Sequence, residues 1–281
     1  APGGTPTPPS PAHLELISSF LGDGWSQESK KALTPLVFLA LALVPNVFLW
    51  GAGPAARGLS ITAFSASLPV GAGLGSSAAL CVATSAALTR LSSLLSRGVR
   101  NGNGSGVVVV GGGGGGGGGG RRPVACELER INAWAFAGET VLHGTPSGLD
   151  NTVSCYGGAI KFVKGTGGAG NVTAPILGFP PLPIVLTNTL VPKDTRALVA
   201  GVRRLLEAHH RAVAAIFDAI GFIADEFIAR ADATAGFAPG VFGEAGGEGG
   251  GEGGGGLMSV ESVGELVHIN HQLLCEIGVG H

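Results

Sequence analysis

The chain has 281 residues, of which 45% are hydrophobic and 13% charged, and its formal net charge is −2. This length and apolar content suit one large domain or two smaller ones with a real core. The near-neutral charge and the single tyrosine argue against a nucleic-acid-binding surface, which needs a basic field and stacking aromatic side chains. A small anionic ligand needs only a local positive potential, so composition leaves that class of ligand open.

The first part of the chain predicts a proline-rich, disordered tail over residues 1–11, followed by helices over 12–21 and about 30–44. The apolar run 36–50 is the only candidate for a membrane span. Its length, about 15 residues, is short of the roughly 20 that a span needs, and Pro45 interrupts it. We therefore expect a buried core helix that ends near this proline, and no membrane partner.

The middle of the chain predicts a strand over residues 58–69, a glycine-rich turn, and an alanine- and leucine-rich helix over 76–96. A glycine-rich insertion follows at 97–124. Ten consecutive glycines in it fix no backbone geometry, so it is predicted to be a flexible surface loop. The next segment, 125–144, has the pattern of an amphipathic helix.

The last part predicts strands at 157–165 and 181–189, one or two helices over 197–231, a glycine- and glutamate-rich insertion at 243–256, and a helix at about 258–277. Strands and helices mix throughout and no internal repeat is present. The fold class is therefore α/β or α+β.

The cysteines Cys81, Cys126, Cys155 and Cys275 are widely separated and form no CxxC pair. Each lies in an apolar segment, so we expect buried free thiols in preference to disulfides or a zinc site. The first residues lack the basic and apolar regions of a secretory signal. These features predict a reducing, cytoplasmic location, with an organelle such as the peroxisome as the alternative.

The stretch PVGAGLGSSAAL, Pro69 to Leu80, is the first candidate site. Its glycine spacing differs from that of a dinucleotide-binding fingerprint, and no lysine follows as in a P-loop. A strand, a glycine-rich turn, two serines and a helix could bring backbone amides to a phosphate, aided by the helix dipole. The alternative is a plain strand-to-helix turn in which Ser76 or Ser77 is the N-cap.

Glu139 is the second candidate. In the helix 125–144, Leu128, Ile131, Ala135 and Glu139 follow steps of three and four, which puts the carboxylate on the apolar face. A buried carboxylate is costly unless a cation or a set of donors meets it. A bound Mg²⁺ would do so, and so would a buried arginine or the indole N–H of Trp134.

Asp150, in HGTPSGLDNTVS, is the third candidate. A carboxylate among small residues could act as a general base toward a substrate hydroxyl. The alternative is structural, because Ser147 and Asp150 have the S-x-x-D spacing of a capping box. Spacing alone leaves both open.

Together these three segments resemble the GHMP small-molecule kinases. LPVGAGLGSSAAL resembles the phosphate-binding motif of that superfamily. The segments ELERINAWAFAGETVLHGTPSGLDNTVSCYGGAIKF and LTNTLVPKDTRALVAGVR are similar to the mevalonate kinase family within it. The resemblance covers about residues 12–281, apart from the glycine insertions.

The resemblance implies ATP and Mg²⁺ as cofactors and phosphorylation of mevalonate, in isoprenoid biosynthesis, as the reaction. Ser77 and Glu139 would hold Mg²⁺. Asp150 would act at the substrate hydroxyl as base or orienting carboxylate, and Thr195 would support it. The ATP phosphates would be wrapped by Gly71, Ala72, Gly73, Leu74, Gly75, Ser76 and Ser77. Phosphoryl transfer depends mostly on positioning and charge neutralisation, which suits these parts.

The resemblance also implies an α+β fold of two domains, which we expect at 12–180 and 181–281, and a possible homodimer. Two family features have no match: an N-terminal strand with a lysine, and a third, glycine-rich motif. We therefore expect the second domain to be incomplete. An inactive remnant that binds nucleotide or a partner, and a kinase of another small alcohol, are the alternative functions.

Overall fold

In a computed structural model, the described residues are 6–45, 59–65, 68, 73–96, 124–165, 170–176, 179, 182–187, 195–235 and 259–280. They form eight helices and two strands, a mixture that agrees with the predicted combination of helices and strands. In chain order these are α1 (Pro11–Leu21), α2 (Gln27–Leu43), α3 (Ser76–Ser96), α4 (Ala125–His143), α5 (Leu149–Tyr156), β1 (Ala159–Val163), β2 (Val172–Ile176), α6 (Thr195–Ala208), α7 (His210–Ala235) and α8 (Val260–Glu276).

The structure divides into two compact units, and the first contains helices α1 to α5. Serine side chains begin its first two helices: Ser10 caps α1, and the Ser26 hydroxyl accepts the backbone N–H of Ser29 at the start of α2. The core of this unit joins α1, α2, α3 and α4. Its buried members are Ile17, Phe38, Leu39, Ala40, Leu43, Val44, Leu88 and Ala137.

Helix α3 packs against α2, α4 and α5. Its small residues Ala78, Cys81 and Ser85 are buried, which lets the neighbouring helices approach closely. Among the described residues, α3 is the one helix long and apolar enough to cross a membrane, over Ser76–Leu95. The prediction that the run 36–50 is the sole membrane candidate is therefore wrong. The packing of α3 is that of a core helix, which passes the same test of length and composition.

The second unit contains β1, β2 and helices α6 to α8. The two strands pair antiparallel, with Ala159 opposite Ile176 and Val163 opposite Val172. Helix α7 packs against α6, α8 and β2. An ion pair between Lys161 Nζ and Asp225 Oδ1, at 2.7 Å, links β1 to α7.

The predicted helices agree closely with the structure: 76–96 is matched at both ends, and α2 begins three residues earlier than expected. The predicted strands do not agree as well. The described residues 59–65 and 182–187, which lie within two of the predicted strands, form no strand. The structure has instead a strand that was not predicted, β2. An isolated apolar run forms a strand only where a partner strand is available for its backbone.

The cysteines are free thiols, as predicted. Cys81 is buried and Cys155 is half-buried, but Cys126 and Cys275 are exposed. The prediction of burial is therefore wrong for the last two. They lie on helices whose apolar stripe covers only one face, so an apolar segment does not bury every one of its residues.

Candidate active site

The glycine turn before α3 needs glycine for a geometric reason. Gly73 and Gly75 have φ values of 73° and 70°, in the left-handed region that other residues rarely adopt. The Gly75 carbonyl accepts the Ala79 N–H at 2.9 Å, so Gly75 itself is the N-cap. Ser76 and Ser77 lie inside the first turn, and the alternative that one of them is the N-cap is wrong.

The first turn of α3 therefore offers backbone N–H groups that have no acceptor within the helix. Ser76 and Ser77 are half-buried there, and Leu74 is exposed beside them. The other two residues predicted to wrap phosphate, Gly71 and Ala72, lie outside the described residues. A turn fixed by two positive φ values, followed by such amides, has the geometry of an anion-binding site.

Glu139 is buried, with 3% of its surface exposed, as its place on the apolar stripe of α4 predicts. Its Oε1 lies 3.8 Å from Cys81 Sγ, and its Oε2 lies 3.7 Å from His143 Nε2. Burial, together with the charge and hydrogen bond of Glu139, raises the pKa of the Cys81 thiol to about 12. The thiol therefore stays protonated and can donate to the carboxylate.

Neither partner named in the structural alternative for Glu139 contacts its carboxylate among the described residues. The Trp134 ring packs on Phe38 of the apolar core, with ring centroids 6.3 Å apart. No described arginine pairs with Glu139. Its neighbours are a thiol and an imidazole, which leaves a buried carboxylate that could still bind a cation.

His143 is the residue that the sequence interpretation missed. Its Nε2 lies 3.3 Å from Ser77 Oγ as well as 3.7 Å from Glu139 Oε2. One imidazole nitrogen thus contacts both residues that are predicted to hold Mg²⁺. The i, i+4 spacing in GETVLH was the available signal, since such residues share a helix face. The link to Ser77, 66 positions away, could not be read from spacing.

Asp150 lies in the first turn of α5, where a carboxylate is favoured by the helix dipole. The N-cap of α5 is Gly148, with a φ of 83°, and Ser147 Oγ accepts the N–H of Leu149 instead of that of Asp150. The capping box that was the structural alternative for Asp150 is therefore not formed. The carboxylate is exposed, and none of the described residues forms a hydrogen bond or an ion pair with it.

Asp150 also lies against the glycine turn. A methyl group built on Gly75 would lie 3.5 Å from both Cβ and Cγ of Asp150. The next residue, Asn151, is buried, and its Nδ2 donates to Asn132 Oδ1 at 2.6 Å. This amide pair fixes α5 to α4, and so fixes the backbone that carries Asp150.

Glu139 and Asp150 line one cleft of about 170 Å³. Both predicted carboxylates thus reach the same space, beside the glycine turn. The cleft is lined by Glu139, His143, Pro146, Ser147, Gly148, Asp150 and Asn151.

The donor set fits Mg²⁺ bound together with phosphate. Glu139 and Ser77 supply hard oxygen donors, which Mg²⁺ prefers, and phosphate oxygens and water usually complete its coordination. Within the described ranges, no group of three or more histidine, cysteine, aspartate and glutamate side chains could hold a metal.

Thr195 is the first residue of α6, in the second unit. Its side chain lies outside the described part of the structure, so its predicted support of Asp150 stays a prediction.

Comparison with known proteins gives a family match and several similar relatives. Residues 39–117 match the model of the GHMP kinases N terminal domain. A mevalonate kinase of Arabidopsis thaliana is 34% identical over 242 residues, which are 84% of this chain and 52% of that protein. The mevalonate kinase of Homo sapiens is 36% identical over 214 residues, 76% of this chain and 44% of its own length.

The mevalonate kinase of Bos taurus is 33% identical over 269 residues, which are 96% of this chain and 57% of that protein. The chain thus spans about half the length of the curated relatives that it matches.

Proposed function

Since the chain is related to the mevalonate kinases of the GHMP superfamily, we propose that it carries out ATP-dependent phosphorylation of mevalonate to 5-phosphomevalonate. The reaction belongs to isoprenoid biosynthesis. The observation that carries the proposal is that Glu139 and Asp150 line one cleft next to the glycine turn. A kinase of a small alcohol needs a phosphate-binding backbone, a metal carboxylate and an acceptor carboxylate within reach of one another.

The phosphate part of the proposal rests on the turn 73–77. Its left-handed glycines expose backbone amides at the start of α3, where a negative charge is favoured. In this proposal Gly71 to Ser77 bind the ATP phosphates.

The metal part rests on Ser77 and Glu139, which contact the same imidazole nitrogen of His143. We propose that their oxygens hold Mg²⁺ bound to ATP. Bound Mg²⁺ would neutralise charge on the transferred phosphate oxygens. Glu139 is buried, so its attraction for a cation is weakened little by solvent.

The acceptor part rests on Asp150. Its carboxylate is exposed and is not paired with any described residue, so it is available to a hydroxyl of the substrate. It would orient that hydroxyl and accept its proton as the oxygen attacks the γ-phosphate. Thr195 is proposed to support it on the resemblance alone.

The test is mevalonate-dependent ADP release by the full chain in the presence of MgATP. We expect ADP release that depends on mevalonate and is absent with galactose or homoserine as acceptor. Release with another small alcohol but not with mevalonate would favour a sister kinase. Nucleotide binding without turnover of any acceptor would favour the non-catalytic alternative.

Four other expectations stay predictions: the domain boundaries at residue 180, the incomplete second domain, the homodimer and the cytoplasmic location. The gene sequence on both sides of this chain tests the second of these. Light scattering and cell fractionation test the last two.

A further inference from the structure

His143 lies at the end of α4 with an imidazole that the proposed reaction has not used. Its Nε2 is 3.3 Å from Ser77 Oγ, in α3, and 3.7 Å from Glu139 Oε2, one turn earlier in α4. Its side chain also lines the cleft shared by Glu139 and Asp150. A single nitrogen thus connects the two proposed metal ligands across two helices.

The contact matters because neither ligand is held in place by other described polar groups of comparable strength. A serine hydroxyl has three staggered positions about χ1, and the described residues give Ser77 Oγ no hydrogen-bond partner other than His143. The other described partner of Glu139 is the Cys81 thiol, a weak donor 3.8 Å away. A site whose ligands must be reoriented on binding has a lower affinity than a preorganised one.

If His143 had a purely structural role, its replacement would lower the free energy of unfolding. About half of its side chain, 52%, is exposed, and it is absent from the apolar core of the first unit. Its replacement would therefore create little cavity and would change the free energy of unfolding only slightly. The effect of removing it should fall on the ligands that it contacts.

We propose that His143 is a positioning residue of the cation site, which holds the Ser77 hydroxyl and the Glu139 carboxylate in the orientation that binds the metal–nucleotide complex. This inference rests on the proposed function, because it assigns Ser77 and Glu139 to the metal. It assigns to His143 no contact with the phosphate or the acceptor.

The experiment compares His143→Leu with His143→Gln in the full chain. Glutamine can bring an amide nitrogen close to the position of Nε2, whereas leucine has a similar bulk without a polar atom. The probe is Mn²⁺ with adenylyl imidodiphosphate, and free Mn²⁺ is measured by electron paramagnetic resonance. His268→Leu is the matched control, because it removes an exposed histidine of α8 that faces Gln272.

We expect His143→Leu to weaken Mn²⁺–nucleotide binding about tenfold, equal to roughly 1.4 kcal/mol. His143→Gln should restore most of the affinity, and His268→Leu should leave it unchanged. The apparent KM for Mg²⁺ should rise in parallel, while the KM for mevalonate and the melting temperature stay near those of the wild type.

Equal Mn²⁺ affinity in the wild type and both His143 variants would overturn the positioning role alone. So would equal losses in both variants accompanied by a lower melting temperature, which would make the role structural. Failure of the wild-type chain to bind the Mn²⁺–nucleotide complex would instead contradict the proposed function.

Discussion

The two units of this chain differ in the polar side chains that they bury. Among the described residues, every buried polar or charged side chain lies in the first unit: Thr84, Ser85, Thr89, Glu139 and Asn151. Both units leave large apolar side chains exposed, such as Phe20 in the first (72%) and Phe222 in the second (71%), so apolar exposure does not distinguish them. Burying a charge is costly, so a unit that buries Glu139 has a use for its charge or an equally strong partner for it. The comparison therefore favours the first unit as the location of the proposed site.

The two units also differ in how closely other atoms approach their helical glycines. Gly138 of α4 is buried, and a methyl group built there would lie 3.1 Å from Cys81 Sγ and 3.3 Å from Leu39 Cδ1. Gly221 of α7 has no atom within 4 Å of the corresponding position. The helices of the first unit thus approach as closely as their smallest residues allow, which fixes the geometry of the side chains at their ends.

The largest expected effect is the loss of turnover in Asp150→Ala. Removing the proposed base should lower kcat by about a thousandfold or more, whereas MgATP binding should persist because the glycine turn is unchanged. Steady-state kinetics and nucleotide titration measure the two effects. The matched control in the second unit is Asp225→Ala, which removes an exposed ion pair with Lys161. Wild-type activity in Asp150→Ala would exclude its proposed role as base.

The next largest effect concerns the metal. Glu139→Gln removes a charge but little volume, and Ser77→Ala removes one oxygen, so both should raise the Mg²⁺ concentration needed for activity. We expect about ten- to a hundredfold for Glu139→Gln, and less for Ser77→Ala, because a neutral oxygen binds the cation more weakly than a carboxylate. The measurement is a Mg²⁺ titration of activity at saturating ATP. Glu265→Gln, on the exposed surface of α8, is the control, and unchanged titrations in the first two variants would contradict the metal role.

The sequence was sufficient to predict features that depend on short-range periodicity. The helical stripe of Ile131, Ala135 and Glu139 indicated a buried carboxylate, and all three are buried in the structure. The helix at 76–96 was predicted from its run of alanine and leucine, because these residues have a high intrinsic helix propensity that does not depend on distant contacts. The glycines in the turn before it were expected to let the backbone approach a ligand, and the positive φ values of Gly73 and Gly75 are a second reason for glycine that only the structure shows.

Features that depend on pairing between distant residues could not be predicted in this way. The contact of Ser77 with His143 exists because α3 packs against α4, and no local pattern encodes that packing. The strand β2 was missed because Pro175 interrupts its pattern, although an edge of a two-stranded ribbon tolerates proline. The run at 184–186 has strand propensity, but none of the described residues pairs with it, and it is exposed.

A smaller effect is expected on stability, which matched glycine-to-alanine substitutions in the two units should change in opposite directions. Gly138→Ala gains helix propensity but forces two fully buried neighbours, Cys81 and Leu39, to move, so we expect a net loss of about 1 kcal/mol. Gly221→Ala has the same gain with open space around it, so we expect up to about 1 kcal/mol of stabilisation.

Urea denaturation followed by circular dichroism measures both variants. Tryptophan fluorescence reports the first unit selectively, because Trp25, Trp50 and Trp134 all precede residue 158. The same sign of change in both variants would contradict the difference in packing.

The smallest effect is a loss of stability at alkaline pH caused by Cys81. Burial beside Glu139 raises the pKa of its thiol from 9.0 to about 12, so between these values the unfolded chain loses a proton that the folded chain retains. The free energy of unfolding should therefore be constant below pH 9 and fall above it, by about 1 kcal/mol between pH 9 and pH 10. Because other groups in the chain also respond to alkaline pH, the measurement is the difference between the wild type and Cys81→Ala, followed by tryptophan fluorescence. Cys275→Ala should keep the wild-type slope, since it removes an exposed thiol of the second unit. An equal slope in Cys81→Ala would mean that burial does not hold the Cys81 thiol protonated above pH 9.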